Sequence, residues 1–399
     1  MSGIYIHIPF CKQACHYCDF HFSTSMKKKD EMILALAKEL QMRKSEFENE
    51  IVETIYFGGG TPSVLTTAEI KFLIDAVYEN YPVAENPEIT LEANPDDLSK
   101  ERIIKLSQSP INRLSIGVQS FFEEDLTMMN RAHNSVEAKK CLEEATKYFD
   151  NISLDLIYGI PDSSQNGKQA KQMSNKKWKQ NIETALSFGI PHISSYALTV
   201  EPKTALSKLI QTGKIAKPKD EVAEEHFQIL VETLEKNDFI HYELSNFGKK
   251  DYFSKNNSAY WLGKKYLGIG PSAHSYDGIS RRWNVSNNAI YLKTLGENKL
   301  PNETEILSKT DRYNEYIMTG LRTIWGISLD RIENEFGSEY LNYLNNQTDK
   351  HIKNNVLEIV TSSDFVFGRN RIEKTLRTTK KGKFLTDGIA SDLFLVNFK

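Results

Sequence analysis

The stretch YIHIPFCKQACHYCDFHF, residues 5–22, decides the fold of this chain because it gathers three cysteines on one short loop. Cys11, Cys15 and Cys18 follow a CxxxCxxC spacing, whereas the fourth cysteine, Cys141, lies far away in the sequence. Three thiolates supply three of the four protein ligands that a [4Fe-4S] cluster takes, which leaves one iron open to another ligand. The spacing therefore predicts a cluster with a free coordination site.

Two other uses of these cysteines have to be weighed. Zinc could take the three thiolates together with His16 or His21 as the fourth ligand of a closed tetrahedral site. Disulfides would leave one of the three clustered cysteines unpaired, and nothing in the sequence indicates an oxidising compartment. The spacing favours an iron–sulfur cluster and leaves zinc open as the alternative.

The spacing, with Tyr17 directly before the third cysteine, resembles that of the radical S-adenosylmethionine (SAM) superfamily. The resemblance implies that the open iron chelates the amino and carboxylate groups of SAM. It also implies that the reduced cluster cleaves a carbon–sulfur bond of SAM and gives a 5′-deoxyadenosyl radical. That chemistry belongs to the cofactor, while the protein holds and shields it.

The composition is that of an ordinary globular protein. The chain has 399 residues, of which 40% are hydrophobic and 26% charged, enough for one large domain and a smaller one. A net charge of −3 and a pI of about 6.4 give no electrostatic support for nucleic-acid binding. No apolar run approaches the roughly 18 residues of a membrane span, and the segment MSGIYIHIPF lacks the features of a secretory signal. We therefore expect a cytoplasmic protein without a nucleic-acid partner.

Apolar, β-branched segments alternate with amphipathic helical segments, which predicts repeated βα units on a parallel sheet. Six strands are predicted, at residues 4–8, 54–57, 88–91, 113–118, 152–158 and 192–198. Thr66 and Glu69 predict a capping box before a helix whose apolar residues share one face. These units resemble the partial (β/α)6 barrel of radical SAM enzymes, and in parallel α/β folds ligands gather at the carboxyl ends of the strands.

A glycine turn follows the second predicted strand. Gly58, Gly59 and Gly60 precede Thr61, and their bare backbone lets a ligand approach closely. The turn resembles the element that binds the amino group of SAM, although an ordinary strand-to-helix turn is the alternative. The sequence contains no GxGxxG spacing here, so no dinucleotide fingerprint competes.

Polar residues stand at the ends of the following strands. Glu92 ends the third strand, Gln119 ends the fourth, and Arg131 follows on the next segment. A carboxylate, an amide and a guanidinium match the ribose hydroxyls, polar edges and carboxylate of SAM. Asp155 interrupts the apolar fifth strand, where a charge needs a partner or a ligand. Taken singly, each of these residues is compatible with an ordinary surface role.

Several segments, in this order, resemble the oxygen-independent coproporphyrinogen III oxidase family: YIHIPFCxxxCxYC, FGGGTP, EANP, GVQSF, NRAH, DLIYGIP, SSYAL and GIGPSAHS. The resemblance implies that Cys11, Cys15 and Cys18 bind the [4Fe-4S] cluster. It also implies a SAM site lined by Tyr5, Gly59, Gly60, Thr61, Glu92, Gln119, Arg131, Asp155 and Ala197.

Within this family the chain resembles the HemW-type heme chaperones more than the oxidases. The oxidase branch has a further cysteine two residues after the third, where this chain has Phe20. The oxidases also have a longer extension than the ten residues that precede Cys11. The resemblance implies binding of heme and its delivery to a heme-accepting respiratory protein. It leaves open a homodimer and a peripheral membrane contact through the acceptor. The alternatives are an oxidase that decarboxylates coproporphyrinogen and a zinc-stabilised binding protein.

The chaperone branch often carries an HNxxYW motif that is suspected of contacting heme. Here Asn256 stands in place of the histidine, and an asparagine does not serve as an axial ligand of heme iron. Tyr260 and Trp261 are candidates for stacking on a porphyrin or, alternatively, for core packing. Asn257, Tyr260 and Trp261 therefore mark a candidate heme region, and His274 is a further candidate ligand.

The predicted fold class is α/β, with three parts. A partial (β/α)6 radical SAM barrel spans residues 1–235, a connecting segment spans 236–300, and a smaller, mostly helical, winged-helix-like domain spans 301–399. Helices are predicted at residues 310–323, 329–336, 340–344 and 347–354. The polar segment 162–177 predicts a flexible surface insertion without a chemical role, and Cys141 is expected to be an inert helix residue.

Overall fold

The computed structural model describes residues 2–47, 50–161, 168–362 and 373–396. Twelve strands form one sheet: β1 (Ser2–Ile8), β2 (Val52–Gly59), β3 (Val83–Ala93), β4 (Arg113–Gln119), β5 (Ile152–Tyr158), β6 (His192–Ala197), β7 (Ile240–Glu243), β8 (Asn246–Gly248), β9 (Tyr266–Ile269), β10 (His274–Tyr276), β11 (Ser280–Asn284) and β12 (Asn302–Ile306). A second sheet contains β13 (Ile327–Ser328), β14 (Leu357–Ser362) and β15 (Glu373–Thr378).

The helices lie between these strands and at the end of the chain. They are α1 (Lys29–Met42), α2 (Thr67–Asn80), α3 (Lys100–Ser107), α4 (Glu123–Met128), α5 (Ser135–Ala145), α6 (Lys168–Ser187), α7 (Ala205–Gln211), α8 (Asp220–Glu235), α9 (Lys255–Trp261), α10 (Asn288–Gly296), α11 (Lys309–Leu321), α12 (Leu329–Arg331), α13 (Ser338–Lys353) and α14 (Thr386–Asp392). Among the described residues, no helix is both long and apolar enough to cross a bilayer.

The six predicted strands are confirmed as β1 to β6, which lie side by side and run parallel in chain order. Every residue of β4 is buried, as is expected of a strand that is covered on both faces. The sheet continues beyond these six strands. On one side β9 pairs parallel with β1 and leads to the antiparallel strands β10 to β12. On the other side β8 pairs antiparallel with β6, and β7 pairs antiparallel with β8.

The predicted capping box of α2 is confirmed. Thr66 Oγ1 accepts a hydrogen bond from the Glu69 amide (3.2 Å), and Glu69 Oε2 accepts one from the Thr66 amide (2.6 Å). The predicted apolar face is buried at Ile70, Leu73 and Val77. Local sequence therefore determines both where this helix begins and which face it packs against the sheet.

The C-terminal part forms its own apolar core beneath the second sheet, whose strand order is β13-β15-β14. The predicted helix at 310–323 is confirmed as α11. Two separate helical pieces were expected at 340–344 and 347–354, but α13 runs through both as one helix. A π-helical turn, Ile332–Phe336, follows α12. β12 (Asn302–Ile306) lies after the predicted domain boundary near residue 300, yet it pairs with β11 in the main sheet. The boundary itself stays a prediction.

The expectation of a flexible insertion is wrong for residues 168–177 of the segment 162–177. Residues 168–177 form the first turns of α6, while residues 162–167 lie outside the described part. Lys177 Nζ donates to Asp125 Oδ1 at 2.6 Å and lies 5.0 Å from the centre of the Phe122 ring. This cation links α6 to α4, a tertiary contact that the polar composition of the segment did not reveal.

A buried ion pair joins α1 to the added strands. The Glu39 carboxylate accepts hydrogen bonds from Arg43 Nη1 (3.0 Å), the Gly270 amide (2.8 Å), Asn284 Nδ2 (2.8 Å) and the Tyr291 hydroxyl (2.5 Å). Both Glu39 and Arg43 are fully buried. One carboxylate thus satisfies donors from four different parts of the fold.

Glu39→Leu is expected to lower the free energy of unfolding by about 3–5 kcal/mol, because it leaves the buried Gly270 amide and Tyr291 hydroxyl without their acceptor and removes one of the two carboxylates that pair with Arg43, the other being Glu46. Chemical denaturation measures this loss. Glu31→Leu on the exposed face of α1 is the control, where the Lys28–Glu31 pair lies in solvent and its removal should cost less than about 1 kcal/mol. Similar losses for the two variants would contradict the role assigned to Glu39.

Candidate functional site

The loop after β1 carries the three cysteines at the carboxyl ends of the parallel strands. The Cys11 amide donates to the Ser23 carbonyl (3.0 Å) and the Ser23 amide donates to the Pro9 carbonyl (3.0 Å), so the loop closes on itself. The cysteines are free thiols. Burial raises the pKa of Cys11 and of Cys18 to about 11, and the neighbouring Cys15 acts in the same direction. Without a metal, both groups are therefore protonated at neutral pH.

The cysteine loop is anchored on the segment that follows α4. The His16 amide donates to the Met129 carbonyl (3.0 Å), and His16 Nδ1 donates to the Met128 carbonyl (2.8 Å). Asn130 Nδ2 donates to the Ala14 carbonyl at 2.7 Å. These bonds hold the middle of the cysteine loop against the end of α4 and the residues after it, more than 100 residues away in the sequence. They therefore fix the position of the loop that carries the three thiols.

The glycine turn after β2 packs directly on the cysteine loop. The Gly60 amide donates to the Ile8 carbonyl (3.0 Å) and the Thr61 amide to the Phe10 carbonyl (2.7 Å). The Thr61 hydroxyl donates to Cys11 Sγ at 3.3 Å. A Cβ atom on Gly60 would lie only 2.6 Å from the Phe10 carbonyl oxygen. The turn needs glycine here because two backbones touch, in addition to any approach of a ligand.

These elements open into one cavity of about 420 Å³. Its walls contain the three predicted cluster ligands and eight of the nine predicted SAM residues: Gly59, Gly60, Thr61, Glu92, Gln119, Arg131, Asp155 and Ala197. The ninth, Tyr5, does not line the cavity. Its ring stacks on that of Tyr56 with centroids 6.1 Å apart, and its hydroxyl lies 3.2 Å from His7 Nδ1. Residues from seven chain segments thus meet at one place.

Arg131 links the cysteine loop to the ends of β3 and β4. Its Nη2 donates to Asn94 Oδ1 (2.6 Å) and to the Gly117 carbonyl (2.7 Å), and its Nη1 donates to Cys15 Sγ (3.3 Å) and to the Tyr17 hydroxyl (3.4 Å). Its Nε is buried and has no partner among the residues that the structure describes. The predicted contact with the SAM carboxylate stays a prediction.

Two carboxyl groups face the cavity from neighbouring parts of the sheet. The Tyr56 hydroxyl donates to Glu92 Oε1 at 2.7 Å, and the Ser115 hydroxyl donates to Asp155 Oδ1 at 3.3 Å. The pKa of both carboxyls is raised to about 7, mainly by burial, and for Glu92 the charge of Asp155 contributes to this rise. Perturbed carboxyls in a cavity are typical of functional sites, since a bound ligand can decide their charge.

Gln119 closes β4 in an unusual conformation. It is buried, and its φ of 69° is in the left-handed region, which a non-glycine residue seldom adopts. The register between β4 and β5 is irregular at the same place. Strain of this kind persists only where the surroundings impose it, and it occurs frequently at functional sites.

The donors around the cavity fit an iron–sulfur cluster better than a zinc site completed by histidine. Neither His16 nor His21 lines the cavity, and His21 Nε2 donates to Asn288 Oδ1 at 2.8 Å. Across the described ranges, no three cysteine, histidine or carboxylate side chains stand together as a metal-ion group. Binding a cluster would therefore draw the three thiols together and release their protons.

The candidate heme region lies at the other end of the strands. α9 carries this region, and Thr54 Oγ1 near the start of β2 donates to Asn256 Oδ1 at 3.0 Å. The Glu88 carboxylate accepts hydrogen bonds from the amides of Lys255 and Asn256, both at 3.1 Å. Asn257 is half-buried, and its amide donates to the N-cap Ser254 at 3.2 Å. The structure therefore does not bring this region into the cysteine-lined cavity.

Tyr260 and Trp261 line a separate cavity of about 250 Å³. The Tyr260 ring meets the Tyr266 ring edge-on, with centroids 4.5 Å apart, and the Arg322 guanidinium lies 5.1 Å from the centre of the Trp261 ring. Asn257 does not line this cavity. His274 is exposed, with its ring 6.3 Å from that of Trp283.

Some residues of the cysteine-lined cavity were not predicted. They are Tyr17, Asn94, Ser115, Gly117 and Tyr196, among others. The sequence RLSIGVQ of β4 carries a signal for two of them, since alternate residues of a strand share one face. That alternation places Ser115 and Gly117 on the same face as Gln119. No comparable local pattern indicates Tyr196.

Two protein-family models match parts of this chain. Residues 5–170 match the radical SAM superfamily, and residues 307–360 match the HemN C-terminal domain. The heme chaperone HemW of Bacillus subtilis is 36% identical over 341 residues, which cover 84% of this chain and 87% of the relative. The heme chaperone HemW of Lactococcus lactis is 34% identical, over 94% of this chain and 97% of the relative.

A solved structure resembles the whole chain. Coproporphyrinogen III oxidase (HemN) from Escherichia coli, a radical SAM enzyme, superposes with a TM-score of 0.81 and covers 99% of this chain and 90% of its own. The sequence identity is 21%. At that identity the likeness concerns the fold alone, and it extends from the cysteine loop through the C-terminal domain.

Proposed function

The chain belongs to the radical SAM superfamily and, within it, to the HemW family of heme chaperones, and from this membership we propose that it binds heme and delivers it to an acceptor hemoprotein. The observation that carries the proposal is the 36% identity that extends over 87% of the Bacillus subtilis chaperone. A respiratory acceptor, a cytoplasmic location, a peripheral membrane contact and a homodimer stay predictions from the sequence.

We propose further that the 420 Å³ cavity holds a [4Fe-4S] cluster on Cys11, Cys15 and Cys18 and SAM beside it. When bound and reduced, the cluster supplies an electron to the sulfonium of SAM. The Thr61 hydroxyl and the Arg131 guanidinium each donate to a cysteine sulfur at 3.3 Å. Donors of this kind stabilise the negative charge of a thiolate, so they favour the cluster-bound form of the loop.

The remaining cavity residues would orient SAM. Glu92 and Asp155 offer carboxylate oxygens that can accept hydrogen bonds from ribose hydroxyls. Glu92 accepts a bond from Tyr56 and Asp155 accepts one from Ser115, and each carboxylate can accept more than one hydrogen bond. The backbone of Gly59 and Gly60 lines the same cavity and leaves its surface free of side chains. These assignments rest on the resemblance to the family together with the shared cavity.

Phe20 supports the chaperone over the oxidase. It occupies the position at which the oxidase branch carries a further cysteine, it lines the cavity, and 68% of its surface is exposed. A phenyl ring offers neither a metal ligand nor a redox-active sulfur at the cavity mouth. We infer that heme binds elsewhere, in the region of Tyr260 and Trp261, whose aromatic rings could stack on a porphyrin face.

The decisive experiment compares heme binding with turnover on one anaerobic preparation that carries the cluster. We expect titrated hemin to give a saturable Soret band, and the loaded protein to transfer heme to an apo-hemoprotein. Incubation of the reduced protein with SAM and coproporphyrinogen III should give no protoporphyrinogen. Formation of protoporphyrinogen at enzymatic rates would establish the oxidase instead, and a colourless, zinc-loaded preparation would contradict both iron-based functions.

A further inference from the structure

Arg113 is a buried cation that lines neither the cysteine loop nor the SAM cavity. Only 1% of its surface is exposed. Within the part of the chain that the structure describes, its Nε and Nη2 have no hydrogen-bond partner and its guanidinium is in no ion pair. A buried charge without a close partner is costly, so a protein keeps one only where the surroundings or a function require it.

The register of the sheet places Arg113 directly beneath the SAM cavity. It pairs with Thr90 on β3, and two residues further along β4, Ser115 pairs with Glu92. Since alternate residues share a face, Arg113 points to the same side of β4 as Ser115, which lines the cavity. Ser115 in turn donates to Asp155 on the next strand. Because Ser115 pairs with Glu92 on β3 and with Ser153 on β5, Arg113 starts one layer below Glu92 and two layers below Asp155, on the same face.

The charge of Arg113 influences both cavity carboxyls. Burial raises the pKa of Asp155 to about 7, and Arg113 is the largest influence that lowers it; Arg113 also lowers the pKa of Glu92. The titratable and charged groups that face the two carboxyls from the surrounding elements are Tyr5, Tyr56, Arg113, Arg131, Tyr196 and Tyr260. Only the two arginines in this set are cations, and Arg131 already bonds Cys15 and Asn94.

We propose that Arg113 is a positioning residue of the SAM site, whose buried charge favours the ionised forms of Glu92 and Asp155, which accept hydrogen bonds from the hydroxyls of bound SAM. The proposal rests on the proposed function, because it assumes that SAM binds in the 420 Å³ cavity. Arg113 touches no ligand itself. It acts at a distance through the low dielectric of the barrel interior, where a charge is weakly screened.

The test measures the SAM dissociation constant of the cluster-loaded protein between pH 6 and pH 9 by equilibrium dialysis. Arg113→Met removes the charge at nearly constant volume, and we expect it to weaken SAM binding by about fivefold at pH 7, because an upward shift of about one unit in a carboxyl pKa near 7 lowers the ionised fraction by about that factor. Arg113→Lys should remain within about threefold of the wild type. The deficit of Arg113→Met should shrink as the pH rises, because both carboxyls then ionise without help.

A second readout does not require the cluster. In the apo-protein at pH 7, Arg113→Met should increase the infrared carbonyl band of protonated carboxyl groups, and Asp155→Asn in the same background should reduce it again. Arg282→Met is the matched control, since Arg282 lies on β11 and pairs with Glu46 away from the cavity. It should leave the SAM affinity and the infrared band unchanged.

The outcomes separate this proposal from the proposed function. Absence of SAM binding in the wild-type protein would refute the assumed SAM site. Wild-type binding together with an Arg113→Met affinity within twofold at every pH would overturn the role of Arg113 alone. If Arg113→Met does not fold, the double variant Arg113→Met/Asp155→Asn is measured instead, because removing both charges should restore folding. A double variant that also fails to fold would contradict the electrostatic coupling of Arg113 to Asp155.

Discussion

Cys15→Ser is expected to reduce the iron content of anaerobically reconstituted protein more than about tenfold, from the roughly four atoms per chain of a [4Fe-4S] cluster. The cysteine loop offers three thiols around one cavity, and a cluster that has lost one of three thiolates keeps too few ligands to persist. Serine preserves the size of the side chain and its contact with Arg131 Nη1, so the barrel should stay folded. Iron and sulfide assays with circular dichroism on the same sample measure both effects.

Cys141→Ser is the control for this experiment. Cys141 lies on α5, packs in the main apolar core, and has a pKa that burial raises to about 12. A thiol in such a place is an inert apolar group, so its replacement should leave the iron content unchanged and cost only stability. Full iron content in Cys15→Ser, or equal iron loss in both variants, would refute the assignment of Cys15 as a ligand.

Gly60→Ala is expected to give the second large effect, because the added Cβ would meet the carbonyl oxygens of Phe10 at 2.6 Å and Ile8 at 2.9 Å. Those oxygens belong to the backbone and cannot move without displacing the cysteine loop. We expect the free energy of unfolding to fall by about 1–3 kcal/mol, as for other overpacked sites. SAM affinity should fall at least about tenfold, since the turn and the loop line the same cavity.

Gly388→Ala distinguishes this steric effect from a general effect of losing a glycine. Gly388 lies on α14, where a Cβ would have open space around it. Alanine is the better helix former, so this variant should be as stable as the wild type or more stable by up to about 1 kcal/mol. Denaturation curves and SAM dialysis on both variants supply the comparison. Normal SAM binding by Gly60→Ala would show that the turn tolerates a side chain.

The two candidate ligand regions line separate cavities. The cysteines and the SAM residues line a cavity at the carboxyl ends, whereas α9 contacts Thr54 and Glu88 towards the amino ends. A heme that stacked on Tyr260 and Trp261 would therefore not share the cavity of SAM. This separation agrees better with a protein that holds heme than with one in which a radical formed beside SAM attacks a porphyrinogen at the same place.

Much of the site could be predicted because its residues stand at the ends of regular elements. Glu92, Gln119 and Asp155 each belong to a recognisable strand, and parallel strands bring their carboxyl ends to one edge. The structure brings them to one cavity, as expected. Asn94 escaped prediction because it lies in the segment that follows β3, and the path of that segment over the edge depends on tertiary contacts.

The sequence by itself determined where the six parallel strands lie along the chain, the capping box of α2 and the position of the cysteines on the loop after β1. Each depends on short-range spacing, which periodicity and local hydrogen bonding are sufficient to specify. Only the tertiary structure decided that Lys177 belongs to a helix, that α9 lies away from the cysteines, and that Arg113 sits beneath two carboxyls. Burial and electrostatic interactions arise between residues that are distant in the chain, so they exist only once the sheet has assembled.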